Sequence, residues 1–98
     1  MPFDLRFTEE AAKQFESLQS AAHRKQYAAV KKALALLRRN PRHPGLHTHA
    51  YESIAGPGKA KVWEAYAENQ TPGAWRLFWS YYPPESNTIT ILAITPHP

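Results

Sequence analysis

The spacing of apolar residues changes twice along the chain, and each change marks a new kind of element. Pro2 to Phe7 alternate apolar with polar, which predicts a short first strand. Thr8 then has the chemistry of a helix N-cap, and Glu9 and Glu10 complement the positive end of the helix that follows. Ala11, Phe15, Leu18 and Ala22 recur at helical spacing and give that helix one apolar face. A second helix is predicted over about His23–Asn40, with Tyr27, Val30, Leu34 and Leu37 as its stripe. Asn40-Pro41 stops it, because proline disfavours helix in the residue before it. The tight join between the two predicts a helical hairpin.

Pro, Gly and His then dominate from Pro41 to Lys59, which reads as a loop with one irregular strand over about Leu46–Ile54. Three clearer strands follow, KVWEAYAE, AWRLFWSYY and NTITILAI, separated by the turns NQTPG and PPESN. Strand, two helices and a four-stranded antiparallel run make an α+β domain with the helices on one face of the sheet. Residues 1–98 form a single domain in this reading.

Alternation assigns the faces. Trp63, Ala65 and Ala67 share a side with Trp75, Leu77, Trp79 and Tyr81, and with Ile89, Ile91 and Ala93, facing the helices. Glu64, Tyr66, Arg76, Phe78, Tyr82, Leu92 and Ile94 fall on the other face, which the pattern leaves open as a contact surface. A three-residue turn at Asn69–Thr71 would set Glu64 opposite Arg76, Ala65 opposite Trp75 and Trp63 opposite Leu77.

Composition narrows what that surface meets. At 98 residues and 43% hydrophobic, the chain folds around a core of its own. It contains no cysteine, so neither a disulfide framework nor a thiolate zinc site is expected. No apolar run has the length of a membrane span and the N-terminus lacks a signal-peptide layout, so a soluble cytoplasmic protein is expected. A net charge of +4 favours an anionic partner. Much of that charge lies on the second helix, at Lys25, Lys31, Lys32, Arg38 and Arg39, a patch suited to phosphate contacts.

The open face then offers chemistry. Aromatics interleaved with an arginine suit single-stranded nucleic acid, whose bases stack and whose phosphates need cations. Lys59, Tyr66, Phe78, Tyr82, His49 and Arg42 are the candidate RNA contacts. If PPESN is a hairpin, the last strand brings His97 back towards Arg76, and Glu64, Arg76 and His97 meet at one end of the face. A carboxylate, a guanidinium and an imidazole can cleave RNA by internal transesterification without metal or cofactor. Glu64 would take the 2′-hydroxyl proton, Arg76 would neutralise the phosphorane, and His97 would protonate the leaving 5′-oxygen. Arg76 is accordingly expected to have no permanent buried partner but a phosphate that arrives with the substrate, with Glu64 or an acidic antitoxin residue standing in when substrate is absent. The plainer alternative is an exposed cross-strand ion pair worth under about 1 kcal/mol. His43, His47 and His49 lack the further ligands that zinc would need.

Over essentially its whole length the chain resembles the RelE/ParE superfamily of bacterial toxin–antitoxin toxins, in particular the RelE-like mRNA interferases. FTEEAAKQFESL, ALALLRRNPRHPGL, KVWEAY, GAWRLFW and ITILAITPHP carry the resemblance, and WRLFW is its most specific piece. The resemblance implies a toxin that cuts mRNA in the ribosomal A site, touches ribosomal RNA, needs no cofactor and is neutralised by a cognate antitoxin. Whether the free toxin forms a homodimer is left open by the sequence. Arg76 matches the family's phosphate-holding arginine, and His97 matches the near-terminal histidine used as general acid in some branches. The lysine pair of one branch is not at the equivalent place, since Lys59 and Lys61 lie earlier. ParE-type relatives share the fold but act on DNA gyrase without cutting RNA, which leaves a non-catalytic inhibitor as the alternative.

Overall fold

A computed structural model of the chain describes residues 2–68 and 73–96. Its elements are β1 (Asp4–Phe7), α1 (Glu9–Ser17), α2 (Arg24–Arg39), β2 (His49–Ala50), β3 (Trp63–Tyr66), β4 (Trp75–Tyr81) and β5 (Thr88–Pro96). The five strands form one sheet in the order β1-β5-β4-β3-β2. β2 to β5 pair antiparallel, as the alternation predicts, while β1 pairs parallel with β5 and makes the sheet mixed.

α1 starts where its cap chemistry places it. Thr8 is extended, and its Oγ1 accepts the Ala11 N–H at 3.1 Å, with Glu9 and Glu10 in the first turn. α2 begins at Arg24, after a single 3₁₀ turn over Ala21–His23, so Ala22 is exposed and does not extend the α1 stripe. It stops at Arg39, with Asn40 extended ahead of Pro41. Ala11 from α1, Leu18 at its C-cap, and Val30, Ala33, Leu34 and Leu37 from α2 close on Ala65, Leu77, Trp79, Ile89, Ile91 and Ile94 of the sheet.

Ile94 belongs to this core because of a β-bulge. Phe78 pairs with Ala93 and Trp79 with Ile91, leaving Leu92 as the extra residue. Parity reverses there, so Ile94 turns to the helices and Ala93 takes the other face, contrary to simple alternation. α1 is fastened to the bulge: Thr8 Oγ1 donates to the Leu92 carbonyl at 3.2 Å, and the Ile94 N–H donates to Gln14 Oε1 at 2.7 Å.

The β3–β4 register also differs from the expected one. Tyr66, not Glu64, lies opposite Arg76; Glu64 faces Phe78, Ala65 faces Leu77 and Trp63 faces Trp79. The slip is two residues, which preserves every face assignment. The turn at Asn69–Thr71 on which that register was based lies outside the described residues.

The face away from the helices is not left open. The predicted strand over Leu46–Ile54 shrinks to two residues, because a 3₁₀ turn occupies Pro44–Leu46 and His47 adopts a left-handed conformation (φ 49°). The chain from Tyr51 to Lys61 then crosses the sheet as a strap. Tyr51 stands edge-on to Phe78 with ring centroids 4.8 Å apart, and Ser80 Oγ donates to the Lys61 carbonyl at 2.7 Å. Gly58 lies so near Tyr82 that a Cβ there would stand 3.0 Å from the ring.

Candidate active site

Two adjacent rungs of the sheet, on the face away from the helices, carry the site. In one rung His49 of β2 faces Glu64 of β3, which faces Phe78 of β4, which faces Ala93. In the next, Tyr66 faces Arg76, which faces Thr95. Glu64 and Arg76 are therefore diagonal neighbours on one face, a separation long side chains bridge.

Their side chains meet. Arg76 Nε stands 3.9 Å from Glu64 Oε2, and each residue is only 2% exposed. His49 Nε2 lies 2.6 Å from Glu64 Oε1, with the imidazole 45% exposed. The Arg76 guanidinium lies over the Tyr66 ring, its Cζ 4.0 Å from the centroid. His47 tilts against the same ring at 5.2 Å, and His49 meets it edge-on at 5.7 Å. Glu64, the expected stand-in when substrate is absent, thus holds Arg76, and the Tyr66 ring adds a second support that the sequence reading did not assign. Burying a carboxylate and a guanidinium together costs several kcal/mol of desolvation per ion, and their attraction recovers that only in good geometry.

The loop that carries the imidazoles is shaped by short-range bonds. Thr48 Oγ1 donates to the Pro41 carbonyl at 2.7 Å, tying the loop to the end of α2. The left-handed turn at His47 lets its carbonyl accept from His49 Nδ1 at 2.8 Å. A cleft of about 420 Å³ opens beside the cluster between α2 and the end of β3, lined by Lys32, Leu36, His43, Leu46 and Tyr66 among others.

The structure thus brings Glu64 and Arg76 together and adds His49 as a direct partner of Glu64, a contact the sequence reading did not assign. The register of the expected β2–β3 pairing, which sets His49 opposite Glu64, creates it. His97 lies outside the described residues. Tyr66 borders the cleft and the cluster. Phe78 is buried under Tyr51 and offers no stacking surface; Tyr82 is half-buried against the strap. Lys59 and Arg42 are exposed on loops outside the two rungs. Among the described residues no three His, Asp or Glu side chains converge as a metal site requires. No helix among them is long and apolar enough to cross a membrane.

The charge around the site is one-sided. From Ser17 to Tyr51 the chain holds Arg24, Lys25, Lys31, Lys32, Arg38, Arg39 and Arg42 but no Asp or Glu. This acid-free run spans α2 and the loop that carries His47 and His49, so the approach to the site from that side is basic.

No family model and no curated protein matches the sequence. Solved structures do match in fold. The YoeB dimer from Staphylococcus aureus aligns with TM-score 0.72 and 14% identity over 100% of both chains. The E. coli DinJ-YafQ toxin-antitoxin complex gives 0.67 and 16%, covering 99% of this chain and 94% of that one. The intact E. coli RelBE toxin-antitoxin complex gives 0.59 and 16%, covering 98% of each. The fold, two helices on a mixed sheet, is that of the RelE-like toxins.

Proposed function

We propose that this chain is the toxin of a toxin–antitoxin pair, an endoribonuclease that stops translation by cutting mRNA in the ribosomal A site. The observation that carries the reading is the buried pair of Glu64 and Arg76, 3.9 Å apart, with the half-exposed imidazole of His49 bonded to its carboxylate. Apolar residues would serve stability at least as well in such a place. A guanidinium and a proton-carrying pair side by side are what phosphodiester transesterification needs.

In this reading the ribose 2′-hydroxyl attacks the adjacent phosphorus and Arg76 takes up the charge of the phosphorane. Glu64 with His49, and His97, supply proton transfer. The cleft walled by Tyr66 and Lys32 has room for a neighbouring nucleotide, and the basic α2 face meets ribosomal RNA. The fold likeness to the DinJ-YafQ and RelBE complexes supports an antitoxin partner, and that to the YoeB dimer supports self-association of the free toxin. A substrate on the ribosome places the protein in the cytoplasm. Inhibition of a protein target such as DNA gyrase, the ParE-type alternative, would not need the Glu64–Arg76 pair.

Induction of the wild type and of Arg76→Ala in cells, with mapping of mRNA 5′ ends, tests the reading. New ends inside translated codons are expected for the wild type and not for the variant. If the wild type creates no new ends, or Arg76→Ala creates as many, the nuclease assignment is lost.

A further inference from the structure

We propose that His49 is the general acid of this reaction, giving the proton on its Nδ1 to the leaving 5′-oxygen, and that Glu64 is the residue that positions it. The inference rests on the nuclease reading and changes the role that spacing alone suggests for Glu64.

A count of hydrogens around the imidazole carries it. The His47 carbonyl can only accept, so His49 Nδ1, 2.8 Å away, bears a hydrogen. His49 Nε2 and Glu64 Oε1, at 2.6 Å, share another. With Nδ1 already protonated, that second hydrogen makes the pair either imidazolium with carboxylate or imidazole with carboxylic acid. In both forms the pair stores a proton. Glu64 is therefore no spare base: Oε1 is engaged by the imidazole and Oε2 faces Arg76.

Exposure sets the direction of transfer. Glu64 is 2% exposed, whereas the His49 side chain is 45% exposed. Among the described residues the Nδ1 hydrogen meets the backbone carbonyl of His47, an exposed loop residue, and a substrate oxygen can take that place. A carboxylate on one imidazole nitrogen and a transferable hydrogen on the other is how an acid–base histidine is held in orientation. His49 and Arg76 both touch Glu64 and Tyr66, so a phosphate drawn to Arg76 arrives beside the imidazole.

The step balances. The 2′-oxygen forms its bond to phosphorus and the P–O5′ bond breaks, its electron pair passing to O5′. O5′ takes the Nδ1 proton, leaving a neutral imidazole that keeps its Nε2 hydrogen and donates it to the Glu64 carboxylate. The 2′-hydroxyl proton passes to water; His97, the general acid of the sequence reading, lies outside the described residues.

A sulfur leaving group tests this, because a thiolate departs without protonation. Ribosome-bound mRNA with an ordinary A-site linkage is compared with mRNA carrying a bridging 5′-sulfur at the same linkage. His49→Ala and His49→Gln are assayed beside the wild type, with thermal unfolding as the check of folding. On the oxygen substrate both are expected to be slower by about 10²–10⁴-fold, the usual contribution of a general acid. On the sulfur substrate both should approach the wild-type rate, while Arg76→Ala stays defective on both. Equal loss on the two substrates by a folded His49 variant overturns the assignment. If the wild type cuts neither, the nuclease reading falls with it.

Discussion

The ring of Tyr66 supports the guanidinium of Arg76 at 4.0 Å, and the two residues face each other directly across the β3–β4 ladder. A desolvated contact of this kind is worth about 2 kcal/mol. Tyr66→Phe keeps the ring and is expected to unfold in urea close to the wild type. Tyr66→Ala also removes the support under His47 and should lose about 2 kcal/mol or more. Equal losses in the two variants would assign the effect to the hydroxyl instead.

Glu64 and Arg76 should be energetically coupled. Removing one member of a buried pair costs about 3–5 kcal/mol, because the other keeps its desolvated charge. The double variant Glu64→Ala/Arg76→Ala is expected to lose less than the sum of the single losses by at least about 1 kcal/mol. Simple additivity in a urea-denaturation cycle would show that the pair does not act as one.

Thr8 serves α1 and the bulge at once. Its Oγ1 accepts from the Ala11 N–H and donates to the Leu92 carbonyl. Thr8→Ala should cost about 1–2 kcal/mol, while Thr8→Ser, which keeps both bonds, should recover most of it. A full loss in the serine variant would place the cost in the methyl group.

The strap over the sheet depends on Gly56. A Cβ there would stand 2.5 Å from the Ala60 carbonyl oxygen and 2.7 Å from Ser80 Oγ. Gly56→Ala is expected to lift the strap, destabilise the fold by about 1–3 kcal/mol and speed tryptic cleavage after Lys59 and Lys61. Unchanged cleavage would show that the strap accommodates the methyl group.

Charge on α2 should act on binding and not on folding. Lys25 and Arg39 are exposed, so Lys25→Glu and Arg39→Glu should shift stability by no more than about 0.5 kcal/mol. Ribosome affinity should fall, and its dependence on salt should flatten as phosphate contacts are lost. Wild-type affinity and salt slope in both variants would remove α2 from the interface.

The sequence reveals which residues share a face far better than which residues touch. Alternation in β3 and β4 survives a slip of two residues, so Glu64 and Arg76 are assigned one face even though their expected pairing is wrong. The bulge leaves no mark, because Leu92, Ala93 and Ile94 are all apolar and an extra residue among them breaks no pattern. The open face is misjudged for a related reason: the strap that covers Phe78 is built from Pro and Gly turns, whose path no periodicity encodes. His49 is recognisable as a candidate but not as the partner of Glu64. That contact depends on a two-residue strand and a left-handed turn at His47, a geometry no flanking glycine announces.

β5 runs past the end of β1, and beyond Ile91 its outer margin would be a bare row of donors and acceptors. Thr8, the N-cap of α1, and Gln14 within α1 answer two of those groups, so a helix stands where another strand would otherwise be recruited. Intermolecular strand addition is thereby confined to the two true rims of the sheet, at β1 and β2. β2 is the rim that bears His49, so any chain that lengthens the sheet there lies next to the strand that carries the imidazole.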